Sequence, residues 1–259
     1  MKRTFSLMLI VASFISLSSC SNENDKSPSN IPTEHFMAVG ENFNLEYKSN
    51  WKSSNTFAAT VDKEGVITAV RVGEAKIYST KEDLSCNVYV YPSYSLYSDP
   101  ITEGGISKNE VKELLGTPYS EKVIGEEEGG EIIVYETNNN IVPVELYIFA
   151  NDSLAISAVA VNASYSEKLT THLSQQYKFL NYNEAEEIIS FIDAETIDEV
   201  NTIVTITPYP NNPNLLLVMY ILNPNAEDDI ETKATRSGSN LFNNINSELL
   251  PINISQEAE

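Results

Sequence analysis

The stretch Ala59-Thr60-Val61-Asp62-Lys63-Glu64-Gly65-Val66-Ile67-Thr68-Ala69-Val70-Arg71-Val72-Gly73-Glu74-Ala75-Lys76-Ile77 decides the fold of the first part of the chain. Short runs rich in β-forming residues are broken there by turn chemistry. Residues 57–61 lead into Asp62-Lys63-Glu64-Gly65, where glycine can take the positive φ of a tight turn. Residues 66–72 make the next run and Gly73-Glu74 a second turn, and residues 75–80 and 84–91 complete the set. Upstream, Phe43, Leu45 and Tyr47 alternate with polar residues. Strands this short and this closely spaced predict a small antiparallel β-sandwich.

Alternation also sorts the faces. Leu84, Cys86, Val88 and Val90 share one side, so Cys86 reads as a small core residue. No basic neighbour or helix N-terminus stands ready to activate its thiol. Trp51 reads as a core aromatic between the sheets, with glycan stacking as the other use of such a ring. Tyr89 and Tyr91 face away from Cys86. Together with Tyr94 and Tyr97 they crowd the junction with the next segment. Tyrosines placed so are either a binding surface for proteins or sugars or the packing between two modules.

The whole chain has 259 residues, long enough for one large or two smaller domains, and 42% of them are apolar, enough for a packed core. The formal net charge is −21, from 16 basic and 37 acidic residues. Such a surface is repelled by nucleic-acid phosphates and anionic headgroups, so no nucleic-acid partner is expected. Residues 1–20 read MKRTFSLMLIVASFISLSSC: Lys2 and Arg3, an apolar run from Phe5 to Leu17, then Leu17-Ser18-Ser19-Cys20. The run is short for a bilayer span and suits a signal peptide. Its end resembles the lipobox of bacterial lipoproteins. The resemblance implies removal of residues 1–19 and acylation of Cys20, with the lipid as the membrane anchor. Each buried CH₂ contributes about 0.8 kcal/mol to such anchoring. Removal of Lys2 and Arg3 would leave 14 basic against 37 acidic residues, or −23. A lipidated Cys20 would also leave Cys86 without a disulfide partner. An ordinary secretory signal with an incidental cysteine is the alternative. Residues 20–32 are polar and carry two prolines, which predicts a flexible tether. Glu23 and Asp25 resemble the surface-export signal of some Gram-negative lipoproteins.

The motif order Trp51-Lys52-Ser53-Ser54-Asn55, Ala59-Thr60-Val61-Asp62, Gly65-Val66-Ile67-Thr68-Ala69 and Gly73-Glu74-Ala75-Lys76-Ile77 resembles the group 2 bacterial Ig-like family, and the likeness covers residues 36–91. It implies an all-β Ig-like sandwich over residues 33–92, of a kind used as spacers and adhesive modules, with no catalytic residues to transfer.

Residues 93–223 read as an α+β domain. Ser107 and Glu110 form a capping box, Ile106 can staple onto Val111, and Val111, Leu114 and Leu115 make an apolar stripe. Gly116 and Pro118 end that helix. Strands are expected at 131–136, 143–150 and 154–162, with Asn151-Asp152-Ser153 as a hairpin turn. The order then recurs: Ser164 and Glu167 as a second capping box, a stripe of Leu169, Leu173 and Tyr177, and strands near 178–182, 187–192, 201–207 and 215–222. This predicts tandem helix-plus-antiparallel-strand units with the helices on one face of the sheet. The residues Gly105-Ile106-Ser107, Val111, Leu114-Leu115-Gly116-Thr117-Pro118 and Tyr135 resemble outer-membrane assembly lipoproteins and the β-lactamase-inhibitor-protein-like fold. That likeness implies a non-enzymatic protein-binding module. Residues 224–259, rich in Asn, Ser and acids, predict a mobile acidic tail.

No G-x-S-x-G elbow, P-loop or zinc-spaced His/Cys cluster occurs. His172 reads as a solvated helix histidine. The acidic runs at Glu126–Glu128 and Glu184–Glu187 lack the calcium-loop pattern and read as solvated loop charge. No cofactor and no enzymatic activity are expected. The leading expectation is a cell-envelope lipoprotein of the outer membrane, held through Cys20, that binds a protein or glycan ligand. The alternatives are a periplasmic assembly or inhibitor-like factor and a surface glycan-processing enzyme.

Overall fold

In a computed structural model, which describes residues 30–124, 130–209 and 212–222, the corner at Gly65 anchors the first unit. Asp62 Oδ1 accepts from the backbone N–H groups of Glu64 and Val66, at 2.9 Å each. Gly65 sits at φ +83°, and a Cβ there would lie 2.7 Å from the Tyr47 carbonyl oxygen. Glycine is therefore required twice over, by the left-handed backbone and by the close approach.

Seven strands follow from this and the neighbouring turns: β1 (Glu34–Ala38), β2 (Asn42–Asn44), β3 (Trp51–Ser53), β4 (Ala59–Val61), β5 (Val66–Ala69), β6 (Gly73–Ser79) and β7 (Ser85–Tyr91). They make a four-stranded sheet in the order β1-β7-β6-β3 and a three-stranded sheet in the order β2-β5-β4. One apolar cluster joins the two sheets; it holds Met37, Trp51, Ile67, Ile77, Cys86 and Val88. Trp51 is 7% exposed, and its indole N–H donates to the Tyr47 carbonyl at 2.8 Å, so it serves the core. Cys86 is fully buried, and burial pushes its thiol up to about 11, with Glu34 adding to the shift. Strand β1 was not expected from the sequence. It pairs in parallel with β7, placing Phe36 beside Tyr89 and Ala38 beside Tyr91.

The remainder contains α1 (Lys108–Leu115), β8 (Ser120–Ile124), β9 (Gly130–Glu136), β10 (Val144–Ala150), β11 (Ser153–Asn162), α2 (Ser166–Ser174), β12 (Lys178–Asn183), β13 (Ile188–Ile192), β14 (Thr202–Pro208) and β15 (Leu215–Leu222). The eight strands form one antiparallel sheet in the order β12-β13-β14-β15-β11-β10-β9-β8. Each helix thus precedes a four-stranded meander, and the meanders meet through the β11–β15 pair. At the β10–β11 turn, Asn151 and Asp152 adopt φ of 52° and 62°, as a two-residue hairpin requires.

Strands make up most of the regular structure, as a β-rich sandwich requires; three local expectations need correction. The capping box of α1 forms as read, with Glu110 N–H donating to Ser107 Oγ and Ser107 N–H to Glu110 Oε2. Its stripe is narrower than read: Val111 is buried, but Leu114 is 68% and Leu115 40% exposed. The second expected capping box is absent. Asn162 instead caps a short 3-10 turn at Ala163–Tyr165, and α2 starts only at Ser166. Finally, β8 was not expected. The signal and lipobox residues 1–20, most of the tether, the run Glu126–Glu128 and the tail 224–259 lie outside the described residues.

Candidate binding surface and the joint behind it

The outer face of the four-stranded sheet follows from the pleat of β7. Cys86, Val88 and Val90 point inward, so Ser85, Asn87, Tyr89 and Tyr91 point outward. On β1, Met37 points inward and Phe36 outward. Phe36 is 63% exposed and stacks on Tyr89, with ring centroids 4.9 Å apart and planes at 19°. Tyr91 is 49% exposed and lies one pleat further along β7. Register places Glu74 beside Tyr89 and Lys76 beside Asn87, which gives the aromatic row a charged border of both signs. A cross-strand aromatic pair contributes about 0.2–1 kcal/mol to the sheet. That does not offset the water left on two large rings. An exposed aromatic row with a polar border has the composition of a recognition surface.

The four-tyrosine cluster read from the sequence therefore divides. Tyr89 and Tyr91 stand on this face. Tyr97 does not: it is 6% exposed, its hydroxyl meets that of Tyr220 at 2.8 Å, and burial holds its pKa well above the usual tyrosine value. Tyr94 is half-buried against the large sheet. Both pack in the core of the second unit, which holds no residue of the first. Phe36 is the surface residue that sequence reasoning missed. The alternation in Glu34-His35-Phe36-Met37-Ala38 carried the signal, but the run follows directly on the tether.

The joint behind Tyr94 is polar and tightly made. Gln175, 6% exposed at the end of α2, accepts through Oε1 from Ser93 N–H (2.7 Å), Ser93 Oγ (2.8 Å) and Tyr94 N–H (3.1 Å). Its Nε2 donates to the Tyr94 carbonyl at 2.9 Å, and its own carbonyl accepts from Val72 N–H at 2.7 Å. His172 also belongs here, which corrects the solvated reading. It is 1% exposed, its ring lies 4.4 Å from that of Tyr97, and its Nδ1 accepts from Leu96 N–H at 3.4 Å. Its Nε2 lies 3.3 Å from Asp99 Oδ1 without the alignment of a hydrogen bond. Within the first unit the Arg71 guanidinium lies 4.9 Å from the Phe57 ring centroid, and burial pulls its pKa down against the attraction of Glu195 of the second unit. Beside the joint, Val39, Glu167, Thr170, Thr171, Ser174 and Gln175 line an open recess of about 620 Å³. Among the described residues, no cluster of three His, Cys, Asp or Glu side chains is placed to hold a metal ion. None of their helices is long and apolar enough to cross a membrane.

No protein-family model, curated protein or solved structure matches the chain.

Proposed function

We propose that this chain is a cell-envelope lipoprotein, anchored through a lipid on Cys20, that binds a protein or glycan ligand on the aromatic face of its first unit. The exposed Phe36–Tyr89 stack, continued by Tyr91, carries this reading. Flat rings fixed on a sheet lose little conformational entropy on binding, and they offer stacking surface to a sugar ring or an apolar side chain. The two-sheet arrangement of β1–β7, with the motif order of residues 51–77, supports an Ig-like classification for this unit. The helix-then-meander order of the larger sheet supports an α+β classification for the second. In this reading the lipid and the tether keep the first unit, and its aromatic face, near the membrane.

The test uses the full chain in wild-type form and as Phe36→Ala/Tyr91→Ala, both applied to a glycan array and to immobilised envelope proteins. The expected result is a ligand retained by wild type and weakened at least tenfold in the variant at equal thermal stability. A ligand bound equally by both would overturn the assignment of the face. Cys20→Ala should release the protein from the membrane fraction; retention there would overturn the anchor. A second reading, a protein-binding factor of the assembly or inhibitor-like kind, draws support from the paired helix-plus-four-strand units and from the Tyr135 hydroxyl donating to the Gly116 carbonyl at 3.1 Å. Ligand binding that survives on the second unit while Phe36 and Tyr91 prove neutral would favour it.

A further inference from the structure

Among the described residues the eight-stranded sheet has two open edges, and they are built differently. At one edge β12 carries a bulge between Phe179 and Asn181, and Lys178 at its start is tied to Glu195 at 2.8 Å. A bulge twists an edge strand away from pairing with another chain. At the other edge β8 pairs with β9 in unbroken register from Ser120 to Ile124. Glu121 lies opposite Ile133 of the core beneath α1, so Glu121 and Val123 share the face that carries this helix. Val123 is 72% exposed, and Tyr119, just before the strand, is 63% exposed. Glu121 is held by Lys112 at 2.6 Å and lies 3.9 Å from Lys108, which also pairs with Glu131 of β9. These contacts set α1 above β8 and β9. Charge is balanced here as well. Residues 108–124 hold three lysines (108, 112 and 122) and three glutamates (110, 113 and 121), a net charge of zero in a chain of −21. A second copy of this surface is therefore not repelled by it.

We propose that two copies of this chain pair through their β8 edges, antiparallel about a two-fold axis at Glu121, so that their large sheets become one continuous sheet. A two-fold axis normal to the sheet keeps α1 on the same face in both copies, and it sets each residue against one of its own pleat. Centring the axis on Glu121 places Val123 opposite Tyr119 of the second copy and Lys122 opposite its Ser120. Centring it on Lys122 instead places lysine against lysine and Glu121 against Val123. The first register brings the two exposed apolar residues together, an aromatic with a β-branched side chain, which is a favourable cross-strand pair. Its one unfavourable pair is Glu121 with Glu121. Each of these carboxylates is already held by Lys112 of its own chain, which offsets the repulsion. The helices fit the same arrangement. With α1 above β8 and β9, the two copies of α1 stand two strand spacings apart, about 10 Å, the distance at which helices pack. Leu115, 40% exposed, lies on the same side of α1 as Lys112, the side that leans toward the edge. This pairing does not depend on the aromatic face of the first unit.

The test is sedimentation equilibrium of residues 20–259 carrying Cys20→Ala, with cysteine probes of the register added to that chain. Opposite residues of an antiparallel pair have Cα atoms about 4.5–5.5 Å apart, within reach of a disulfide. The axis at Glu121 sets residue 121 against itself, so Glu121→Cys should give a disulfide-linked dimer under mild oxidation at least about tenfold faster than Lys122→Cys, which faces a serine. The expected sedimentation result is a concentration-dependent dimer that becomes a monomer in Val123→Lys, with the β-sheet circular dichroism unchanged. A parent chain that stays monomeric at about 200 µM would overturn the proposal, and the edge would then be open or taken by a strand of another protein. A dimer that persists in Val123→Lys would overturn it by placing the interface elsewhere. Cross-linking of Lys122→Cys as fast as that of Glu121→Cys would overturn the register and the pairing with it.

Discussion

Replacing Gln175 with alanine should loosen the joint between the two units, and the structure sets the size of the effect. The side chain is buried and satisfies Ser93 N–H, Ser93 Oγ, Tyr94 N–H and the Tyr94 carbonyl. A neutral hydrogen bond contributes about 1 kcal/mol net, and a buried group left without a partner costs about 1–3 kcal/mol. Alanine leaves two backbone N–H groups and a carbonyl unmatched in a region shared with buried Leu96 and Tyr97. If the joint stays closed, the loss is about 2–4 kcal/mol, well beyond a surface substitution. If the joint opens and water reaches Ser93 and Tyr94, the loss falls to about 1 kcal/mol and appears as motion instead. Urea unfolding gives the first quantity, and amide exchange at Ser93 and Tyr94 gives the second. One of the two must change. Gln175→Glu separates the donor and acceptor roles, because a carboxylate keeps the three acceptor contacts but faces the Tyr94 carbonyl with a lone pair. It should be less stable than wild type. An unchanged urea midpoint together with unchanged exchange in Gln175→Ala would refute the view that this residue holds the units together.

Three further outcomes follow from other sites. With Cys20 replaced by alanine, Cys86 should resist a thiol reagent in the folded protein at pH 8, since its thiol is buried and titrates at about 11; stoichiometric labelling before unfolding would contradict this. The Glu110 carboxyl, held below the usual glutamate value by the backbone and side-chain hydrogen bonds of Ser107, should titrate low by NMR and move up in Ser107→Ala. Because its pKa is lower in the folded state, its contribution is present above the unfolded glutamate pKa and is lost as pH falls through the folded one, so wild type and Ser107→Ala should differ less in acid than at pH 7. Gly65→Ala should destabilise the first unit by about 1–3 kcal/mol, because alanine at φ +83° would also press on the Tyr47 carbonyl; a neutral thermal shift would refute the close approach.

Local chemistry was legible in the sequence, and long-range placement was not. The Asp62–Gly65 corner, the capping box at Ser107 and the Asn151-Asp152 turn each depend on residues within a few positions of one another, so their types alone predict them. Strand β1 escaped notice because its partner, β7, lies some 50 positions away (Phe36 against Tyr89), and parallel pairing leaves no turn signal. His172 looked solvated on its helix because the residues that bury it arrive from the connector; its hydrogen-bonding partner Leu96 is 76 positions earlier. The tyrosine cluster was misleading for a related reason. Between Tyr91 and Tyr97 the chain passes from an outer sheet face into the core, so residues close in sequence end in different environments.

The same logic shows what the strands themselves carried. A meander exposed on one side would have shown alternation in β11 and β15, as β7 does with its buried and outward residues. Their nearly continuous apolar runs, interrupted in β11 only by buried Ser157, instead require cover on both faces. Helices α1 and α2 account for one cover. No described residue of the first unit enters the cluster on the second face.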